Sequence, residues 1–255
     1  MIAMNPLMAN ALAASRRTWL AGLLIGLTPV AWAQSPRGRV PWPAGLQVTY
    51  DVSGQANGLR YRASSRVQWR HTATQYEANM EAQARWIGGR TQRSVGQWNA
   101  AGALQPAQFT DRARRERRHE MDWVQRQYRY WREGQLVHQG TLVVGAQDRL
   151  SLLFELARQV HHRADASVGA RWAIPVIGGD ASGPWQFEWT GQDTVETPAG
   201  VLPARRLQRT GPASESSTMQ LWLYEPLGWL PARLWIQEAD GDFIDQRLAS
   251  WTPTA

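Results

Sequence analysis

Asp148 and Ser151 stand three residues apart at the head of an apolar run, Gln147-Asp148-Arg149-Leu150-Ser151-Leu152-Leu153-Phe154-Glu155-Leu156. With a distant His, these types could form a nucleophilic triad: imidazole takes the hydroxyl proton and a carboxylate orients the imidazole. The same two residues also suit the start of a helix. A carboxylate at 148 can accept from the Ser151 N–H and favours the positive helix end. Capping accounts for the pair without catalysis, and no G-x-S-x-G, phosphate loop, dinucleotide glycine pattern or H-E-x-x-H accompanies it. The five His residues are His71, His119, His138, His161 and His162. His161 and His162 are adjacent, so their rings diverge, and a cation there suits the negative end of the preceding helix. Glu116 and His119 make one E-x-x-H, which serves a metal only where a helix puts both on one face; the strand pattern here splits them. Asp240, Asp242 and Asp245 lack the bidentate Glu and spacing of a calcium loop. The chain contains no Cys. No catalytic, cofactor or metal residue is therefore expected, and the expected class is non-enzymatic.

Two other groups of residues could bind rather than react. Arg112, Arg114, Arg115, Arg117 and Arg118 crowd the stretch DRARRERRHE. Guanidiniums at this density can grip phosphates or lipid head groups, or form a solvated strand edge that resists aggregation. Every basic residue is Arg, and the formal charge of +7 stays positive when Arg16 and Arg17 are set aside. Of the 15 Trp, Trp69 and Trp86 fall on the apolar phase of their segments and read as core. Trp222 lies off phase between Leu221 and Leu223, so it is expected at an exposed rim with Trp229 and Trp235.

The elements that must position these groups are mostly strands. Leu46, Val48, Tyr50 and Val52 alternate with polar residues, as do Leu59–Trp69 and Tyr76–Trp86. Asn57-Gly58, Gly88-Gly89, Gly134 and Asp240-Gly241 supply the turns. About a dozen antiparallel strands with short connections are expected in one domain, 46–255, with one face covered and one wet. The exception is 147–160, whose Leu150, Leu152, Leu153, Phe154, Leu156, Ala157 and Val160 span roughly 200° of a helical wheel. A surface helix needs about half that arc, so this one is expected to be buried on two sides. Ahead of the domain, Ser15-Arg16-Arg17, the apolar run 19–31 and Ala31-Trp32-Ala33 compose a cleavable signal peptide, 1–33. General export of the unfolded chain is expected, with the twin-arginine route as a second option. A Pro-rich extended leader, 34–45, follows.

The order and spacing of several pieces resemble the exported bacterial family known as domain of unknown function 3108. They are Leu104-Gln105-Pro106-Ala107-Gln108-Phe109, Gln147-Asp148-Arg149-Leu150-Ser151, Thr197-Pro198-Ala199-Gly200, Ala204 with Arg206-Leu207 and Arg209, Leu221-Trp222-Leu223, and Leu230-Pro231-Ala232-Arg233-Leu234. The resemblance runs from about Leu46 to Leu248 and implies a periplasmic, mainly antiparallel β protein. It implies no activity. The expected fold is a curved antiparallel meander, or partly open barrel, with one helix on its concave face. The expected function is the binding of an acyl chain or lipid in a groove beside the helix, lined by Leu152, Leu153, Phe154, Leu156 and Trp222. The alternative is a structural protein of the envelope with a filled core and an envelope protein as partner; a hydrolase ranks third. Nucleic acid and stable membrane integration are not expected.

Overall fold

The computed structural model describes residues 42–84, 88–177, 184–211 and 217–254. The signal peptide, most of the leader and Trp86 lie outside them. Eight strands come first: β1 (Gly45–Ala56), β2 (Leu59–His71), β3 (Gln75–Ala84), β4 (Gly88–Trp98), β5 (Leu104–Arg112), β6 (Glu116–Asp122), β7 (Gln127–Arg132) and β8 (Gln135–Thr141). The helix α1 (Ser151–His162) interrupts them. Six more follow: β9 (Arg171–Pro175), β10 (Pro184–Thr197), β11 (Gly200–Thr210), β12 (Ser217–Leu223), β13 (Pro231–Glu238) and β14 (Phe243–Pro253).

All fourteen strands join one antiparallel sheet in the order β8-β7-β6-β5-β4-β3-β2-β1-β14-β13-β12-β11-β10-β9. The first and last strands pair along most of their length, from Leu46–Pro253 to Gln55–Phe243. The sheet is curved and does not close, because β8 and β9 remain edges. Turn chemistry sets the registers. Asn57 and Gly58 have φ of 51° and 77°, and Glu133 and Gly134 have 50° and 79°, which matches the twist of two-residue hairpins.

Chain order explains why the helix plugs this half-barrel. α1 is the connection between the two edge strands, so the chain must cross the gap to reach β9. Just before α1, Gln147 adds a short parallel bridge to Val176 and covers part of the β9 edge. Its amide nitrogen also donates to the Leu104 carbonyl (2.8 Å), tying the loop to β5.

The helix starts later and ends later than the apolar pattern suggested. Its first i→i−4 bond still runs from Leu152 N–H to the Asp148 carbonyl (3.0 Å). Leu152, Phe154, Leu156, Ala157 and Val160 are buried, and so are Ser151 and Glu155 from the polar stripe. Two-sided burial leaves those polar groups to be satisfied internally. Glu155 accepts from the Leu104 N–H (3.1 Å), the Arg158 guanidinium (2.8 and 2.7 Å) and Gln159 (2.8 Å). Phe154 stacks on Trp69 with ring centroids 4.4 Å apart. Trp42, ahead of β1, packs edge-on against Trp69 at 6.2 Å, so the end of the extended leader belongs to the core.

Candidate functional site

The inner face of the sheet, the one facing α1, is a set of rows in register across β2 to β6. One row reads Trp69, Ala78, Ser94, Phe109, His119. Its Trp69 ring meets Phe154 of the helix. Four residues further along β2, the row is Ser65, Ala82, Arg90, and two further it is Ala63, Ala84, Gly88. Apart from Arg90, which turns to Asp111, these side chains are too short to fill the curve. What remains is an open groove of about 810 Å³ at the end away from the helix, lined also by Val52, Met80 and Ile244.

Two polar features mark the groove. Arg90 makes a bidentate pair with Asp111 (2.8 and 2.6 Å), and that pair raises the guanidinium's already high pKa. Arg114, Arg115 and Arg117 line the same space, from the turn after β5 and the start of β6. The Ser65 hydroxyl, on a residue 2% exposed, has no partner among the described atoms.

His119 lies between the two ends of the inner face. Its ring packs on Phe109 (5.9 Å) and Tyr130 (4.8 Å), and neither nitrogen has a partner. Burial, helped by the nearby Arg149 charge, lowers its pKa to about 4. Glu116 pairs with Arg112 on the opposite face, so the E-x-x-H is split as the strand pattern required.

Asp148 and Ser151 hold each other. The Asp148 carboxylate accepts from the N–H groups of Leu150 and Ser151 (both 2.8 Å) and from the Ser94 hydroxyl (2.6 Å). Ser151 Oγ accepts from the Asp148 N–H (3.0 Å), so the two cap the helix start reciprocally. Ser94 also contacts the Tyr76 hydroxyl at 3.2 Å, which anchors the cap to the sheet. Burial pushes the Asp148 carboxyl above its ordinary value, against these donors.

The structure corrects where the groove lies. Leu152, Phe154, Leu156 and Trp222 are buried, Leu153 is partly buried, and none of the five lines the open groove. The apolar helix face is consumed by the core, with Phe154 stacked on Trp69. Trp222 does point away from Leu221 and Leu223, but it is covered rather than exposed. Its indole N–H donates to Asp193 (3.0 Å), and the Arg233 guanidinium lies 4.6 Å over its ring. Trp229 is buried too, against Arg205, whose guanidinium lies between it and Trp189. The arginine cluster divides: Arg114, Arg115 and Arg117 reach the groove, whereas Arg112 and Arg118 do not. Asp242 and Asp245 serve the sheet, the first accepting from Asn57 N–H (2.6 Å), the second pairing with Arg233 and Arg247. No group of three or more metal-ligating side chains occurs among the described residues. The groove residues Ser65, Ala82, Ala84 and Arg90 were not anticipated. Their signal was the pair of alanines, Ala82 and Ala84, that ends the inner phase of β3.

A half-barrel plugged by a helix at one end and grooved at the other is the class that fold and site define. The chain belongs to the family of proteins of unknown function DUF3108, whose model matches residues 48–248. Among solved structures, a β-barrel-like protein of domain of unknown function DUF1849 from Brucella abortus is similar in fold: TM-score 0.55, 10% identity, 85% of this chain and 100% of that one covered. A putative lipoprotein from Parabacteroides distasonis (TM-score 0.36, 9% identity, 83% and 97% covered) also matches. So does lipoprotein LppX of Mycobacterium tuberculosis (TM-score 0.31, 12% identity, 84% and 88% covered). Neither of these two is close enough in structure to inform function. No curated protein matches the sequence. No helix among the described residues is long and apolar enough to cross a membrane.

Proposed function

We propose that the protein is a non-enzymatic binding module of the bacterial periplasm that holds the apolar tail of a lipid-like ligand in the open groove. One observation carries this reading: about 810 Å³ of space over a floor of Val52, Ala63, Met80, Ala82, Ala84 and Ile244. That volume falls in the usual range for small-molecule sites, roughly 300–1,000 Å³. An apolar floor of this kind favours an alkyl chain, at about 0.8 kcal/mol for each methylene removed from water. The rival reading, a core filled throughout, fits the helix end and leaves the other end unexplained. The periplasmic location rests on the export pattern of residues 1–33. Fluorescence titration of the purified mature protein with dansyl-undecanoate tests the reading. One saturable site per chain is expected; a linear, non-saturating signal would overturn it.

A further inference from the structure

The cluster Asp111–Glu120 sorts its charges by face. On the outer face the carboxylates are taken: Arg112 pairs with Glu116, and Arg118 with Glu120 (3.2 Å). On the inner face Arg114 and Arg117 have no carboxylate within ion-pair distance among the described residues, and the nearest one to Arg115 is Glu133, at 3.9 Å. Arg117 also sits directly across the strand pair from Arg132, a like-charge juxtaposition that costs stability in a sheet. The single acid of the groove, Asp111, is already engaged by Arg90. Four guanidiniums and one carboxylate thus face a cavity whose remaining wall is largely apolar. Such an arrangement is relieved by an anion at the mouth, and planar guanidiniums match carboxylate and phosphate oxygens.

Building on the groove reading above, we infer that the site selects anionic single-tail amphiphiles. The head group, a carboxylate or phosphate monoester, sits on Arg114 and Arg117. The tail runs over Ala82, Ala84 and Ala63. A neutral amphiphile of equal length gains the tail contacts only.

Displacement of a fluorescent acyl probe tests this with hexadecanoate, hexadecyl phosphate, 1-hexadecanol and inorganic phosphate as competitors, on the wild type and on the Arg114→Ala/Arg117→Ala double variant. Charge-assisted hydrogen bonds of ordinary strength predict that the wild type binds both anionic amphiphiles about tenfold more tightly than the alcohol. In the double variant the preference should fall to about twofold or less, with the affinity for hexadecanol unchanged. Circular dichroism verifies that the variant is folded. Equal wild-type affinity for alcohol and acid, or a preference that survives in the double variant, would overturn the inference and leave the groove reading intact. Failure of every tailed compound to compete would overturn both. Competition by inorganic phosphate as strong as by hexadecyl phosphate would show an anion site without a tail site, and would overturn the inference as stated.

Discussion

The two ends of the inner face are built from the same strands and differ in the size of the side chains in register. At the helix end, Trp69 and Phe109 fill the curve and Phe154 stacks directly on Trp69. At the open end, Ala63, Ala82, Ala84 and Gly88 leave the curve empty. A curved sheet therefore needs no separate domain to make both a core and a cleft; a step of four to six residues along β2 is enough. On the proposed reading stability belongs to one end and binding to the other, and the following substitutions separate the two.

Phe154→Ala should have the largest effect. It removes a ring that is 1% exposed and stacked at 4.4 Å, and should cost about 3–5 kcal/mol in urea denaturation. Any binding that survives in the folded fraction should keep its affinity, because the groove does not contain this residue.

His119→Phe comes next and appears as a pH dependence. Unfolded, this His takes a proton near 6.5; folded, only near pH 4. The unfolded chain thus binds more protons in that window, so the stability contributed by neutral His119 is full above pH 6.5 and drains as pH falls towards 4. The shift corresponds to as much as about 3 kcal/mol. Asp148 has the opposite sign, since burial raises its carboxyl and its contribution drains as pH rises above the usual carboxylate range. Comparing denaturation of wild type and variant at pH 7.5 and 4.5 isolates His119: the difference between the two pH values should shrink in His119→Phe.

Asp148→Ala should cost about 2 kcal/mol, because three donors lose their acceptor and the first turn of the helix loses its cap. Thermal unfolding measures this.

Ala82→Trp should have the smallest effect on stability, within about 1 kcal/mol, since the added ring enters space that is already open. Its effect on dansyl-undecanoate binding should nevertheless be the greatest of the four. A variant that lost stability and kept binding would reverse the division between the two ends.

The sequence made the helix end largely legible and the open end largely not. Alternation in β1, with Leu46, Val48, Tyr50 and Val52 on one phase, is local, and so is the wheel that marks α1 as buried on two sides. The cap at Asp148 and Ser151 is three residues wide and readable for the same reason. The groove depends instead on which residue of β3 faces which residue of β2 and β4, and pairing sets that, not period. Alanines at 82 and 84 look like ordinary strand positions until Ala63 and Gly88 fall beside them. Trp222 shows the same limit: its phase correctly pointed away from Leu221, but Asp193, which accepts its indole N–H, lies far away in the chain. The arginines were visible as a cluster, yet only the hairpin of β5 and β6 sorts them into outer pairs and the groove-lining Arg114, Arg115 and Arg117.

Photo-crosslinking tests the central claim most directly. A palmitate bearing a diazirine near the end of its tail would be bound to the wild-type protein, irradiated, and the labelled residues mapped by peptide mass spectrometry. Labels should fall on the inner-face positions of β2 and β3, at Ala63, Met80, Ala82 and Ala84. Labels concentrated on Leu152, Leu153 or Leu156 of α1 would contradict the account, because they would place the tail beside the plug rather than at the open end.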